Sequence, residues 1–276
     1  MKANRKFQNR PSDFWANVKL LSQHIGYTER KTKLIKVPTS DQIVGTYDAL
    51  NLSKSFLLTK KNKPTKFLKD LLEYFQLRAD LLNNQVKNNL LDKDSAKTEF
   101  NKMLKVYNPK CPLPMNKQKG SKRAFSYFTC MINMLIESNL KGKSCDYDPK
   151  ELTTFTRNHH PEIVLSRRVD GAFPSTINPK AIWEIKEYYY TTTFGSRVAD
   201  GIYESLLDGY ELNEVKKNLN ISVTHYLFVD DYRTWWVLGG KSYLCRIIDM
   251  LHMGYINEAI FGKEIFSCLP QIVKKW

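Results

Sequence analysis

The sequence lacks the features of membrane, secreted and repeat proteins. It has no run of the ~20 apolar residues that a bilayer-spanning helix needs, and its N-terminus, MKANRKFQNRPSDFW, lacks the apolar core of a signal peptide. No internal repeat or long low-complexity tract is present. At 276 residues, with 42% hydrophobic and 12% aromatic residues, the chain can bury a substantial core. We therefore expect a soluble, intracellular, globular protein without a membrane partner.

Cysteine is scarce and lacks the spacing of a zinc or redox site. The 5 cysteines are an odd number, and no two form a CxxC pair. They are Cys111, Cys130, Cys145, Cys245 and Cys268. We expect reduced thiols without a catalytic role.

Acidic residues are scarce in the first part of the chain. The net charge is +15, and residues 1–124 carry 26 Lys or Arg against 10 Asp or Glu, whereas the remainder carries 17 against 18. A cationic surface attracts polyanions because binding releases their condensed counterions. The split favours a region that binds phosphates joined to a region whose acids have another task. A solvated lysine-rich surface without a ligand is the alternative.

Helical periodicity dominates the basic part. Helices are predicted from Ser40 to about Asn51, after Pro64, and from about Asp92 to Tyr107. Residues 105–122 hold three prolines and several lysines, which is typical of a linker or of a DNA-touching loop. We therefore divide the chain into a basic helical region, residues 1–110, for DNA binding and recognition, and a core, residues 111–276.

The second part changes from helix to strands and back. An amphipathic helix from Phe125 to about Glu137 precedes predicted strands at residues 162–173 and 181–190. A helix at about residues 197–218 follows, then strands at SVTHYLFVDD and RTWWVL and a helix from about Lys241. This order predicts an α/β fold with a mixed central sheet flanked by helices.

Three charged residues in the predicted strands have the chemistry of phosphodiester hydrolysis. Glu184 and Lys186 project from one face because strand side chains alternate, and Asp170 can meet them if the two strands pair. Carboxylate oxygens are ligands that Mg²⁺ prefers, and a bound metal lowers the pKa of water and neutralises charge on phosphorus. A nearby lysine can orient or deprotonate that water and stabilise the transition state.

Asp170 followed by Glu184-Ile185-Lys186 resembles the PD-(D/E)xK signature of restriction endonucleases and related nucleases. The predicted order of helix, strands, helix and strand resembles the same family's core, restriction-endonuclease-like, over roughly the second half of the chain. The resemblance implies that Asp170, Glu184 and Lys186 are catalytic, and that Asp170, Glu184 and the Ile185 carbonyl bind Mg²⁺. The chain departs from the signature at Val169, where proline is usual.

Further site residues follow from the same resemblance. Some family members use an acid from the helix before or after the strands, which indicates Glu137 or Glu204; both also fit solvated helix positions. Glu187 is predicted to face away from Lys186, so it is not expected to bind the metal. The segment EYYYTTTFGSR resembles segments that approach DNA in Type II restriction enzymes. Its candidate DNA contacts are Tyr188, Tyr190, Thr191, Thr192, Thr193, Ser196 and Arg197.

One short segment resembles a phosphate-binding loop only in part. GGKS at residues 239–242 lacks the earlier glycine of a phosphate-binding loop, because Trp235 occupies that place. We expect it to be structural.

The resemblance implies a Mg²⁺-dependent Type II restriction endonuclease that cuts double-stranded DNA and leaves 5'-phosphate and 3'-hydroxyl ends. It also implies a cytoplasmic bacterial or archaeal enzyme, and a homodimer, since a two-fold protein matches a palindromic site. A structure-specific repair or recombination nuclease and a non-catalytic DNA-binding protein are the alternatives.

Overall fold

The structure, a computed structural model, describes residues 1–8, 10–191 and 195–276, and it combines helices with two sheets. The helices are α1 Ser12–Ile25, α2 Ser40–Ala49, α3 Lys66–Asp80, α4 Lys87–Asn89, α5 Lys93–Tyr107, α6 Tyr127–Asn139, α7 Ser196–Leu219, α8 Lys241–Met253 and α9 Glu264–Val273. The strands are β1 Thr154–Arg157, β2 His160–Val164, β3 Gly171–Phe173, β4 Ala181–Glu187, β5 Thr224–Asp230 and β6 Glu258–Phe261. The predicted mixed α/β class is therefore confirmed, and no described helix is long and apolar enough to cross a membrane.

The helices of the basic part begin at side-chain caps. Thr39 and Gln42 form a reciprocal capping box at α2, and the side chains of Thr65 and Asp92 accept amide hydrogen bonds at the starts of α3 and α5. Such caps satisfy amides that the first helical turn leaves unpaired. The three predicted helices are confirmed, whereas α1 was not predicted.

The larger sheet has the order β3-β4-β5-β6. β3 runs antiparallel to β4, and β4, β5 and β6 are mutually parallel neighbours, with α7 and α8 as the crossovers. Trp183, Phe228 and Ile260 pack on one face with α5, α6 and α9. Leu227 and Val229 pack on the other face with α7 and α8. The sheet is thus covered on both faces, as a mainly parallel sheet requires.

Two strand predictions were wrong. The strand predicted at residues 162–173 is two strands of different sheets, because β2 pairs with β1 while β3 pairs with β4. The predicted strand RTWWVL is a π-helical turn, Arg233–Val237. The carboxylate of Asp231 accepts hydrogen bonds from the amides of Arg233 (3.1 Å) and Thr234 (3.2 Å), and this local capping favours a turn over an extended chain.

The basic helices pack as a cluster of their own and also contact the α/β part. Residues of α1, α2 and α3 share one hydrophobic cluster, whereas α5 packs with α6 and the sheet. The buried Arg78 on α3 donates to Asp249 on α8 at 3.0 Å, and Tyr74 donates to the same carboxylate at 2.6 Å. α5, predicted to belong to the basic region that ends at residue 110, thus packs with the core. The 5 cysteines are free, as predicted.

The Arg78–Asp249 pair should stabilise the junction between α3 and α8. We expect Arg78→Met to lower the free energy of unfolding by about 3–5 kcal/mol, because the buried Asp249 loses its cation. As a control, Lys102→Met breaks an exposed pair with Glu99 of 2.7 Å and should cost at most about 1 kcal/mol. Urea unfolding followed by circular dichroism measures both. Equal stability of Arg78→Met and the natural chain would contradict the assignment.

Asp230, at the end of β5, is expected to make the free energy of unfolding depend on pH. Its carboxyl accepts the amide of Leu91 at 2.7 Å and the hydroxyl of Tyr189, and burial raises its pKa from 3.8 to about 8. The folded state keeps a proton that the unfolded chain releases near pH 4, so this group's contribution to stability falls as the pH rises from about 4 to about 8. In Asp230→Asn that contribution is absent.

We therefore expect the free energy of unfolding of Asp230→Asn, minus that of the natural chain, to increase with pH across this window. Asp200→Asn, at an exposed position on α7, is the control for the removal of one aspartate charge. Urea unfolding at a series of pH values tests both variants. A flat difference for Asp230→Asn would show that the Asp230 carboxyl titrates as in the unfolded chain.

Candidate active site at the β3–β4 edge

The pairing of β3 with β4 brings Asp170, Glu184 and Lys186 together. Gly171 lies opposite Trp183 in this antiparallel pair, so Asp170 comes level with Glu184. The amide of Asp170 donates to Glu184 Oε1 at 3.2 Å, and the amide of Ile185 donates to Asp170 Oδ2 at 2.7 Å. Lys186 Nζ donates to Glu184 Oε2 at 2.8 Å. One connected group thus holds all three residues of the predicted signature.

Glu184 is wholly buried, with 0% of its surface exposed. Arg167 contacts both its oxygens, with Nη1 at 2.9 Å from Oε1 and Nη2 at 3.1 Å from Oε2. Burial alone would raise the pKa of Glu184, but Lys186 and Arg167 outweigh burial and hold that pKa below its ordinary value. Conversely, Glu184 and then Asp170 outweigh burial at Lys186 and raise the pKa of the ammonium. Both groups are therefore charged at neutral pH.

Helix α7 supplies two more acids to the same group. Glu204 accepts from Lys186 at 3.0 Å and from Arg167 at 3.4 Å, and Asp208 accepts from Arg167 at 2.7 Å. Burial, and then the charge of Glu184, raise the pKa of Asp208 to about 8. Asp208 Oδ1 is buried and has no hydrogen-bond partner among the described residues. The helix thus places one half-exposed and one buried carboxyl against the strand.

Gly201 allows α7 to lie this close to β4. A Cβ atom at this position would lie 2.9 Å from the Tyr188 hydroxyl and 3.2 Å from Cδ of Lys186. Both distances are shorter than ordinary van der Waals contact, so any other residue would push the lysine or the tyrosine aside. The glycine therefore helps to set the position of Lys186.

Asp170 lies on the wall of an open cleft of about 380 Å³. Solvent reaches the residue, but the surrounding protein, and then the charge of Glu184, raise the pKa of its carboxyl to about 6. Residues 114–118, between α5 and α6, also line the cleft and bring Lys117 to it. The segment predicted as a linker or DNA-touching loop therefore borders the candidate site.

The predicted DNA contacts fall into three groups. Tyr188, Tyr190, Thr191 and Arg197 line the cleft with Asp170. Ser196 is exposed at the first position of α7. Thr192 and Thr193 lie outside the described residues. Of those that line the cleft, Tyr188 is largely buried against Trp235, whereas Arg197 is exposed.

Two other acids of the sequence lie outside this group. Glu137, near the end of α6, accepts the amide of Lys110 at 3.0 Å. Glu187 faces away from Lys186, as the alternation predicts, and accepts the amide of Phe128 (2.9 Å) and the hydroxyl of Thr129 (2.7 Å) at the start of α6. Of the two accessory acids predicted, the structure thus brings Glu204 to Lys186, and Glu137 has a different contact.

Hard oxygen donors of the kind that Mg²⁺ takes converge at the cleft. Asp170 Oδ1 accepts no hydrogen bond from a described residue, and Ile185 lines the cleft beside it. Because the N–H and C=O of a strand residue point to the same side, the Ile185 carbonyl faces the Asp170 side of β4. Both Glu184 oxygens are occupied by cations, and among the described residues no three His, Cys, Asp or Glu side chains are grouped to hold a metal ion. The donors fit Mg²⁺ in chemistry, provided that Glu184 exchanges a cation contact for the metal.

Arg167 and Asp208 were not predicted. Asp208 is four residues after Glu204, which places both on one face of a helix, so the spacing was a usable signal. Arg167 lies in the irregular segment between β2 and β3, and no periodicity indicates its direction.

Comparison with protein families divides the chain in two. A family described as "Domain of unknown function (DUF7690)" matches residues 1–85, and one described as "Domain of unknown function (DUF7687)" matches residues 91–276. The second match covers more than half of the chain. The chain belongs to the DUF7687 family. No curated protein and no solved structure matches the chain. The division between the families lies N-terminal to the predicted boundary at residue 110, and the DUF7687 part includes α5 together with every residue of the candidate site.

Arg167 should be needed to keep the Glu184 charge buried. We expect Arg167→Met to lower the free energy of unfolding by about 3–5 kcal/mol, since Glu184 and Asp208 both lose a cation. The adjacent Arg168 is exposed, so Arg168→Met is a matched control that should change stability by less than about 0.5 kcal/mol. Urea unfolding measures the difference. Similar losses in the two variants would show that Arg167 contributes no more than a surface charge.

Proposed function

We propose that the protein is a Mg²⁺-dependent endonuclease of the PD-(D/E)xK type that cuts double-stranded DNA, as Type II restriction enzymes do. The observation that carries the proposal is the connected group of Asp170, Glu184 and Lys186 on paired strands, with Asp170 open to a cleft. The order α6, β3, β4, α7, β5 supports it, because the family core has a helix, strands with the signature, a helix and a strand.

Each residue of the group has a distinct task in this proposal. Asp170, Glu184 and the Ile185 carbonyl would hold the ion, with Glu204 as a neighbouring acid. Bound Mg²⁺ supplies a water of lowered pKa and neutralises charge on the phosphate. Lys186 stays protonated because Glu184 and Asp170 raise its pKa, so it acts as a cation rather than as a base. It orients the attacking group and stabilises the negative charge that develops on phosphorus.

The walls of the cleft suit a DNA backbone. Lys117, between α5 and α6, and Arg197, on α7, bring positive charge to the cleft. Hydroxyl groups come from Tyr188, Tyr190 and Thr191. Such groups commonly contact phosphate oxygens and fix the position of a strand. Products with 5'-phosphate and 3'-hydroxyl ends, and a homodimer that cuts both strands of a palindromic site, complete the proposal.

Variants of the site test catalysis directly. We expect Asp170→Asn and Lys186→Met to lower Mg²⁺-dependent cleavage of plasmid DNA about 10²-fold or more, because each removes a charge next to the reacting phosphate. Asp200→Asn and Lys180→Met change the same residue types at exposed positions and should cleave normally. A gel of timed digests measures the rates, and circular dichroism verifies folding.

Undiminished Mg²⁺-dependent cleavage by Asp170→Asn would refute the assignment of the site. The natural chain also separates the alternatives. Discrete plasmid fragments support a sequence-specific endonuclease, a smear or a preference for branched DNA supports a repair or recombination nuclease, and intact plasmid supports a DNA-binding protein without catalysis.

A further inference from the structure

A lysine cluster lies on the surface around Trp236, at the junction of the two family regions. It consists of Lys33 from the turn after α1, Lys87 of α4 and Lys241 at the start of α8. The ammonium of Lys241 lies 4.9 Å from the centre of the Trp236 ring, and that of Lys87 lies 5.9 Å from it. One indole therefore holds two lysines that the sequence separates widely.

The cluster has no compensating acid. Among the described residues, no carboxylate lies within ion-pair distance of its three lysines. Partial burial, and then the charges of Lys33 and Lys87, lower the pKa of Lys241. Like charges held together without a counter-charge repel each other, so an anion bound between them would be stabilised. This arrangement is typical of a binding site for phosphate rather than of a surface made only for solubility.

Helix α8, which carries Lys241, contacts helix α7, which carries Glu204 of the candidate active site. Arg246, on the same helix as Lys241, lies 4.7 Å from the Tyr243 ring and donates to the hydroxyl of Tyr203 on α7 at 2.7 Å. Tyr203 is 50% exposed, and the next residue, Glu204, contacts Lys186. Arg246 and the exposed Tyr203 thus lie together where α8 meets α7, and a cation beside an exposed aromatic ring can bind nucleic acid through phosphates and base faces.

We propose that the lysine cluster binds the phosphodiester backbone of nucleic acid and anchors it along α8 and α7. The GGKS segment, expected to be structural, then has a second role, because its Lys241 belongs to the cluster. The inference concerns binding alone and does not depend on cleavage at Asp170.

A pair of charge-matched triple variants tests this proposal. The first is Lys33→Gln/Lys87→Gln/Lys241→Gln, and the control is Lys60→Gln/Lys61→Gln/Lys63→Gln in the exposed segment before α3. Binding of the full chain to a fluorescein-labelled DNA duplex is measured by anisotropy in EDTA at several salt concentrations. Circular dichroism verifies that both variants fold.

We expect the cluster variant to raise the Kd about tenfold or more and to reduce the slope of log K against log salt by about 2–3, since each neutralised phosphate contributes about 0.9. The control should raise the Kd less than about threefold through net charge. Equal or larger losses in the control, or no duplex binding by the natural chain, would overturn the proposal.

A competitor separates nucleic acid from a small anion. If tripolyphosphate binds in a cluster-dependent way while duplex affinity is the same in both triple variants, the site serves a small polyphosphate and the nucleic-acid assignment is overturned. If duplex binding depends on the cluster while the natural chain cuts no DNA, the cluster proposal stands and the nuclease proposal fails.

Discussion

The buried carboxylate of Glu184 is the constraint on which the candidate site depends. An ionised carboxyl without water costs several kcal/mol unless cations and hydrogen bonds compensate it. Arg167 and the amide of Asp170, from the segment between β2 and β3, and Lys186, from β4 itself, supply that compensation, and these contacts fix that segment against β4. Asp170 is placed beside Glu184 by the same hydrogen bonds. The contacts that position the site are therefore the same contacts that stabilise this part of the fold.

The same constraint orders the two acids of α7. Arg167 and Lys186 together carry two positive charges, and Glu184, Glu204, Asp208 and Asp170 compete for them. Burial, and then the charge of Glu184, raise the pKa of Asp208 to about 8, whereas Glu204 reaches solvent. An additional cation at Asp170 would relieve this excess of acid, and this electrostatic argument supports the proposal of a divalent metal there.

Alternation and pairing explain how much of the site the sequence predicts. Glu184 and Lys186 share a face because strands have period two, and Asp170 joins them once β3 pairs with β4. Arg167 lies in an irregular segment where no period applies, so only the three-dimensional structure brings it to Glu184. RTWWVL has the composition of a strand, but capping by Asp231 and burial of Trp235 override that preference. Strand propensity therefore predicts the local structure only where contacts with neighbouring residues do not favour another conformation.

Charged residues of the two family regions meet at two places, once as a buried ion pair and once as a group of like-charged surface lysines. Arg78 and Asp249 are buried and neutralise each other, which fixes α3 against α8 without binding anything further. Lys33 and Lys241, also from the two regions, lie at the surface, and in the part of the chain that the structure describes no carboxylate lies within ion-pair distance of either. If this junction served only to hold the two regions together, we would expect its surface lysines to be paired with acids, as Arg78 is paired with Asp249 in the interior. Repulsion among the three lysines lowers the stability of the folded chain, and a bound phosphate would reduce that repulsion. The proposed binding of nucleic acid by this cluster would therefore involve the DUF7690 region together with the DUF7687 region.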